Sequence, residues 1–216
     1  SNLKSLKCEP WDFIHLPDAS ILEKVNLNTL SETPFDIEKK LIEKIIKLKE
    51  LKEVNFCIYT TSVSSLSDTK NKNISVQNMT LYLKGESDAI KLSGFIERFE
   101  NLSELNLDLN IGSGDEFLEM DLKVKENKKS KINNLSISGF GIQNVELVCG
   151  PYSDLIKFKL ENNGGITNLE DTFPLFKSNC QVVFDKLNNF CFNNAEIPSE
   201  GVPIKNLNNL YNNLDK

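Results

Sequence analysis

One spacing of apolar positions returns along this chain: apolar, two residues, apolar, one residue, apolar. It reads Leu3-x-x-Leu6-x-Cys8, Leu22-x-x-Val25-x-Leu27, Leu51-x-x-Val54-x-Phe56 and Val76-x-x-Met79-x-Leu81. The clearest copy is Leu102-x-x-Leu105-x-Leu107. After it come Ile132-x-x-Leu135-x-Ile137, Leu155-x-x-Phe158-x-Leu160, Leu187-x-x-Phe190-x-Phe192 and a degraded Leu207-x-x-Leu210. Successive starts are 19, 29, 25, 26, 30, 23, 32 and 20 residues apart. A strand throws neighbouring side chains to opposite faces. The fourth and sixth positions of each copy therefore face a core and the fifth faces away. The fifth positions are Lys7, Asn26, Asn55, Thr80, Asn106, Ser136, Lys159, Cys191 and Tyr211, none of them aliphatic. One such hexamer is common in amphipathic helices, but nine at near-constant spacing predict one strand per unit.

Between the strands the period changes. Thr33 and Asp36 form a start resembling a capping box, with Pro34 at the first helical position. Leu41, Ile42, Ile45 and Ile46 then make one apolar stripe among Lys and Glu, which predicts a helix. A second helix is expected over about Ser87 to Glu100, from Leu92, Phe95, Ile96 and Phe99, and a short one near Asp171 to Lys177. Helix alternating with strand implies a parallel sheet. Two polar stretches, Ser62 to Asn73 and Lys123 to Lys131, read as loops.

The repeated hexamer resembles the leucine-rich-repeat family over nearly the whole chain. That resemblance implies an α/β leucine-rich-repeat solenoid: a curved parallel sheet on the concave side, helices and loops on the convex side. Residues 1–216 then form a single domain of eight or nine repeats. The family's Asn three residues after the third apolar position occurs only at Asn110 and Asn163. The array is thus irregular and divergent, unlike the very regular extracellular subclasses. Neither end carries the polar cap that a solenoid end needs, which points to one part of a longer protein. Trp11 and Phe13 are placed to close the N-terminal end of the core.

Composition narrows the setting. With 216 residues, 39% hydrophobic and 26% charged, the chain can bury a full core and is no disordered tail. Its net charge of −6 argues against nucleic acid as the partner. No apolar run approaches the roughly 20 residues that span a bilayer. The five cysteines, Cys8, Cys57, Cys149, Cys180 and Cys191, are scattered without a C-x-x-C pair, so neither a disulfide framework nor a zinc site is indicated. That favours a cytoplasmic or nuclear setting. Secretion is the alternative, since Asn73, Asn78, Asn101 and Asn134 head Asn-x-Ser/Thr sequons. Asparagine is about one residue in eight, however, and chance supplies as many. The chain opens on Ser1-Asn2 rather than Met, so the lack of a targeting segment carries no weight.

Nothing assembles into catalytic chemistry. The single histidine, His15, lies in WDFIHLPD with no nucleophile motif around it. Gly164-Gly165 and Gly112-Ser113-Gly114 complete no phosphate fingerprint. Asp108, Asp115, Glu116 and Glu119 lack the spacing of a calcium loop and read as a solvated turn. Lys123 to Lys131 carries five lysines and one glutamate but no interleaved aromatics, so it reads as a solvated loop too. No cofactor and no metal are expected. The resulting expectation is a non-enzymatic scaffold that binds another protein. Two alternatives stand beside it: the substrate-receptor repeats of an F-box type ubiquitin ligase subunit, and a secreted or surface recognition protein. The expected partner-binding residues lie on the concave face: Glu53, Asn55, Thr80, Tyr82, Glu104, Asn106, Asp108, Ser136 and Lys159. Interface hot spots are rich in Trp, Tyr and Arg, which makes Tyr82 the expected anchor.

Overall fold

The computed structural model describes residues 3–17, 21–27, 34–59, 63, 71–84, 89–109, 116–121, 132–139, 142–148, 157–162, 166–171, 181–185, 189–192 and 195–197. Eight strands form one parallel sheet in chain order. They are β1 (Ser5–Cys8), β2 (Lys24–Leu27), β3 (Glu53–Tyr59), β4 (Asn78–Lys84), β6 (Glu104–Leu109), β8 (Asn134–Gly139), β10 (Lys157–Asn162) and β12 (Gln181–Asp185). A second sheet holds β5 (Ala89–Lys91), β7 (Glu116–Asp121), β9 (Ile142–Val148), β11 (Ile166–Asp171) and β13 (Asn189–Phe192), with β14 (Ala195–Ile197) antiparallel on β13. From β4 to β13 the chain visits the two sheets in turn. It is an α/β chain with a parallel sheet and few helices.

The apolar hexamer sets the register. Paired positions in the first sheet run Ser5, Lys24, Glu53, Asn78, Glu104, Asn134, Lys157. These are the residue offsets read from the sequence, 19, 29, 25, 26, 30 and 23. One backbone motif locks each step from β1 to β8. Glu23 O accepts from Lys52 N and Glu53 N at 2.8 and 3.0 Å, and Lys52 O accepts from Gln77 N and Asn78 N at the same distances. The carbonyls of Lys4, Gln77 and Ser103 repeat it. Each of these copies thus binds the next through the same two amides, where the next strand begins.

The expected core positions are buried. Val25, Leu27, Val54, Phe56, Met79, Leu81, Leu105, Leu107, Leu135, Ile137 and Leu160 join one apolar cluster. The leading positions Leu22, Leu51, Val76, Leu102 and Ile132 belong to it as well. Leu6 and Cys8 on the edge strand β1 are only half buried, and Leu3 is exposed.

The helices whose bounds are described are α1 (Pro10–His15), α2 (Phe35–Lys47) and α3 (Ser93–Ile96). The apolar stripe of α2 (Ile37, Leu41, Ile42, Ile45, Ile46) is buried on the core side of the sheet. Its buried Glu38 accepts the Tyr59 backbone N–H at 3.0 Å, tying the start of the helix to the end of β3. Its other end is held by Asn73. That buried amide donates to the carbonyls of Ile45, Ile46 and Leu48 at 3.2, 3.2 and 2.9 Å. Its Oδ1 accepts from the N–H groups of Ser75 and Val76, both at 2.8 Å. Orphan carbonyls at a helix end need such partners.

Several expectations are corrected. Pro34 is the N-cap of α2, without a side-chain bond, and not its first helical residue, while Thr33, the other end of the expected capping box, lies outside the described residues. The long helix over Ser87 to Glu100 is instead β5 followed by the one-turn α3, although Leu92, Phe95, Ile96 and Phe99 are all buried as their spacing required. Returns on the far side are therefore strands as well as helices. Glu116 and Glu119 lie in β7 and not in a turn. The eighth copy, Leu187 to Phe192, contributes its strand to the second sheet, and β12 takes the place next to β10. Asp171 ends β11, and the rest of the expected third helix lies outside the described residues, as do Asn110, Asn163, the 123–131 stretch and the last copy at 207–210. Trp11 does not close the core. It is exposed, while Phe13 beside it is fully buried.

Candidate binding face

The face of the first sheet turned away from the core carries the residues between the core positions, aligned by the register into three rows. The middle row is Lys7, Asn26, Asn55, Thr80, Asn106, Ser136 and Lys159. Each member sits one strand, about 4.8 Å, from the next. The row on one side includes Lys24, Glu53, Asn78, Glu104 and Asn134. The other runs through Cys57, Tyr82, Asp108, Ser138 and Glu161. All nine residues expected to bind are brought onto this one face.

Their environments differ. Tyr82 is 41% exposed, the largest exposed apolar side chain on the three rows among the described residues. Asn55, Thr80, Asn106 and Ser136 are half buried. Asn106 was expected to be exposed; its Nδ2 instead donates to Glu104 Oε1 at 3.3 Å, so its neighbours partly cover it. Glu53 pairs with Lys24 at 2.6 Å and Lys159 with Glu161 at 2.7 Å. Along the outer margin Glu23 sits between Lys4, at 2.7 Å, and Lys52, at 3.3 Å. Hydrogen bonding from Lys4 and then Lys52 holds the Glu23 carboxyl below the usual carboxylate range. Burial, and then the charge of Glu161, pushes the Asp108 carboxyl up. No family model, curated protein or solved structure matches this chain.

What the face can do follows from its own groups. The middle row is an uncharged strip of amides and hydroxyls between two lysines, and each amide both donates and accepts. On two strands, β8 and β10, the face extends one position beyond the residues expected from the sequence. Ser138 and Glu161 lie on the row of Tyr82 and Asp108, and continuing the alternation two residues past Ser136 and Lys159 would have found them. His15 stands elsewhere, on α1, with the Trp11 ring edge-on at 5.2 Å. Among the described residues no group of three or more His, Cys, Asp or Glu side chains is placed to hold a metal ion. No described helix is long and apolar enough to cross a membrane.

Proposed function

We propose that this chain is a non-enzymatic interaction scaffold of the leucine-rich-repeat kind that binds a partner protein through the polar face of its first sheet. The observation that carries the reading is the middle row: seven strands in parallel register present non-aliphatic residues at one position, and on five of them, β2, β3, β4, β6 and β8, the residues on either side of that position are buried. A face that were merely solvated would not need half-buried amides and hydroxyls in line. Parallel stacking of repeats makes an extended surface of the sort such proteins use for binding. Tyr82 is the anchor and the neighbouring amides set the register of the bound segment, since central aromatic residues dominate interface energies.

Photo-crosslinking tests this. A benzoylphenylalanine placed at Tyr82 or at Asn106 is expected to capture the same protein from native extract, and one placed at the exposed Glu50 is not. Tyr82→Ala and Lys159→Glu should each weaken that complex with little change in melting temperature. Capture from Glu50 alone, or affinity unchanged in both variants, moves the site off this face.

A further inference from the structure

A cleft of about 230 Å³ opens between α1 and α2, on the helix side of the sheet and so away from the polar rows. Trp11, Ile14 and His15 form one wall. Ile37, Lys40 and Lys47 stand on the other, at spacings of three and seven residues that put them on one stripe of α2. Lys44 lies between them, and its Nζ donates to the carbonyls of Ile14 and Leu16, where α1 ends. Its charge also sits 5.4 Å from the centre of the buried Phe13 ring. Lys44 is thus fixed beneath the cleft, while Lys40 and Lys47 are exposed at its rim. Three lysines against Glu43 make this site positive in a chain whose net charge is −6. Trp11, the chain's sole tryptophan, is 57% exposed beside them.

We propose that this cleft is a second docking site, for an acidic peptide segment that seats one aliphatic side chain against Trp11 and Ile14 and places carboxylates at Lys40 and Lys47. Charge complementarity identifies the occupant. The two rim lysines are about 10 Å apart along the helix, close to the reach of carboxylates two residues to either side of a central residue in an extended peptide. The volume is below the roughly 300–1,000 Å³ of sites for drug-sized ligands and suits a single side chain. A nucleic-acid backbone is disfavoured, because it needs many aligned cations and would meet the acidic remainder of the chain.

Trp11 provides the signal. The full chain is titrated with a blocked Glu-Ser-Leu-Ser-Glu peptide, with emission read from Trp11 and anisotropy from a labelled copy. Saturable binding with a blue-shifted emission is expected, weakening as salt rises. Lys40→Gln and Lys47→Gln should each weaken binding about threefold, and the pair about tenfold. Tyr82→Ala should leave it unchanged, which separates this site from the polar face. Equal binding of Gln-Ser-Leu-Ser-Gln would overturn the proposal. So would full affinity in the double variant, an unmoved Trp11 emission at saturation, or tighter binding of a ten-nucleotide deoxyadenosine strand.

Discussion

Replacing Asn73 by alanine should be among the most damaging single changes in the described part of this protein. Its amide N–H groups are shared by three carbonyls at the end of α2, and its oxygen takes the two N–H groups that lead into β4. The Leu48 carbonyl keeps a partner, because Ser75 Oγ also donates to it at 2.9 Å. So does the Ile45 carbonyl, which accepts the Leu48 N–H at 3.2 Å. Three buried or half-buried backbone groups then lose theirs: the carbonyl of Ile46 and the N–H groups of Ser75 and Val76. At the low end of the cost of an unsatisfied buried group, roughly 1 kcal/mol each, the loss is about 3 kcal/mol. For a chain of this size that corresponds to a fall of about 6–12 °C in melting temperature, measured by circular dichroism. Asn106→Ala, on the polar face, should stay within about 0.5 kcal/mol of the parent. Asn73→Asp sharpens the argument. It keeps the acceptor but sets a carboxylate against three carbonyls at the negative end of the helix. Its pKa should therefore be raised in the folded state, and the penalty, complete at neutral pH, should shrink as pH falls and the acid becomes a donor. An Asn73→Ala variant that melts within 2 °C of the parent, or an Asn73→Asp variant as stable as the parent at neutral pH, would refute this account.

Leu105→Ala and Leu107→Ala should each cost roughly 2–5 kcal/mol, because both side chains are buried in the apolar cluster; urea melts that place either beside Asn106→Ala would show the strand register to be wrong. Burial and Glu161 raise the Asp108 carboxyl, so its ionised form weighs against the fold above that raised pKa, and the penalty fades as pH falls towards the ordinary value of 3.8. Asp108→Asn should accordingly be at least as stable as the parent at neutral pH, with the difference closing on acidification; a difference that widens contradicts the assignment. Burial, then Asp12 and Glu9, raises the Cys8 thiol, so its alkylation by iodoacetamide near pH 8 should be slower than that of a free cysteine peptide, and a faster rate would count against that environment.

Strands β2, β3, β4, β6 and β8 were legible because the hexamer positions on one face of each are buried and those on the other are more exposed, and a one-residue slip would exchange the two faces. That rule recovers Leu105, Asn106 and Leu107 directly. It failed at β12, where Val182 and Phe184 pair with the core positions Phe158 and Leu160 but the sequence has Asn179 where an apolar residue should lead. The nearby Leu187, Phe190 and Phe192 met the template while serving the second sheet. Leu92, Phe95, Ile96 and Phe99 have helical spacing and are buried, yet the segment packs as a strand, a single helical turn and further turns; spacing reported burial there without fixing the backbone. The face was legible as far as alternation was followed. The cleft was not, because Lys44 and Trp11 are 33 residues apart in sequence and meet only when α1 docks on α2. Asn73 was hidden for a similar reason: within a polar stretch, nothing local distinguishes a buried amide from a solvated one.

Strand order that follows chain order also governs how the molecule assembles. Up to β10, each strand of the first sheet meets its neighbour by closing a loop of 19 to 30 residues. The entropic costs of the shortest and the longest closure differ by only about 0.4 kcal/mol. No step awaits a partner from the far end of the sequence, so ordering can begin at any adjacent pair and spread. During synthesis it can follow the ribosome: by the time β6 emerges, β4 is already in place as its template, and only one open edge travels with the growing chain.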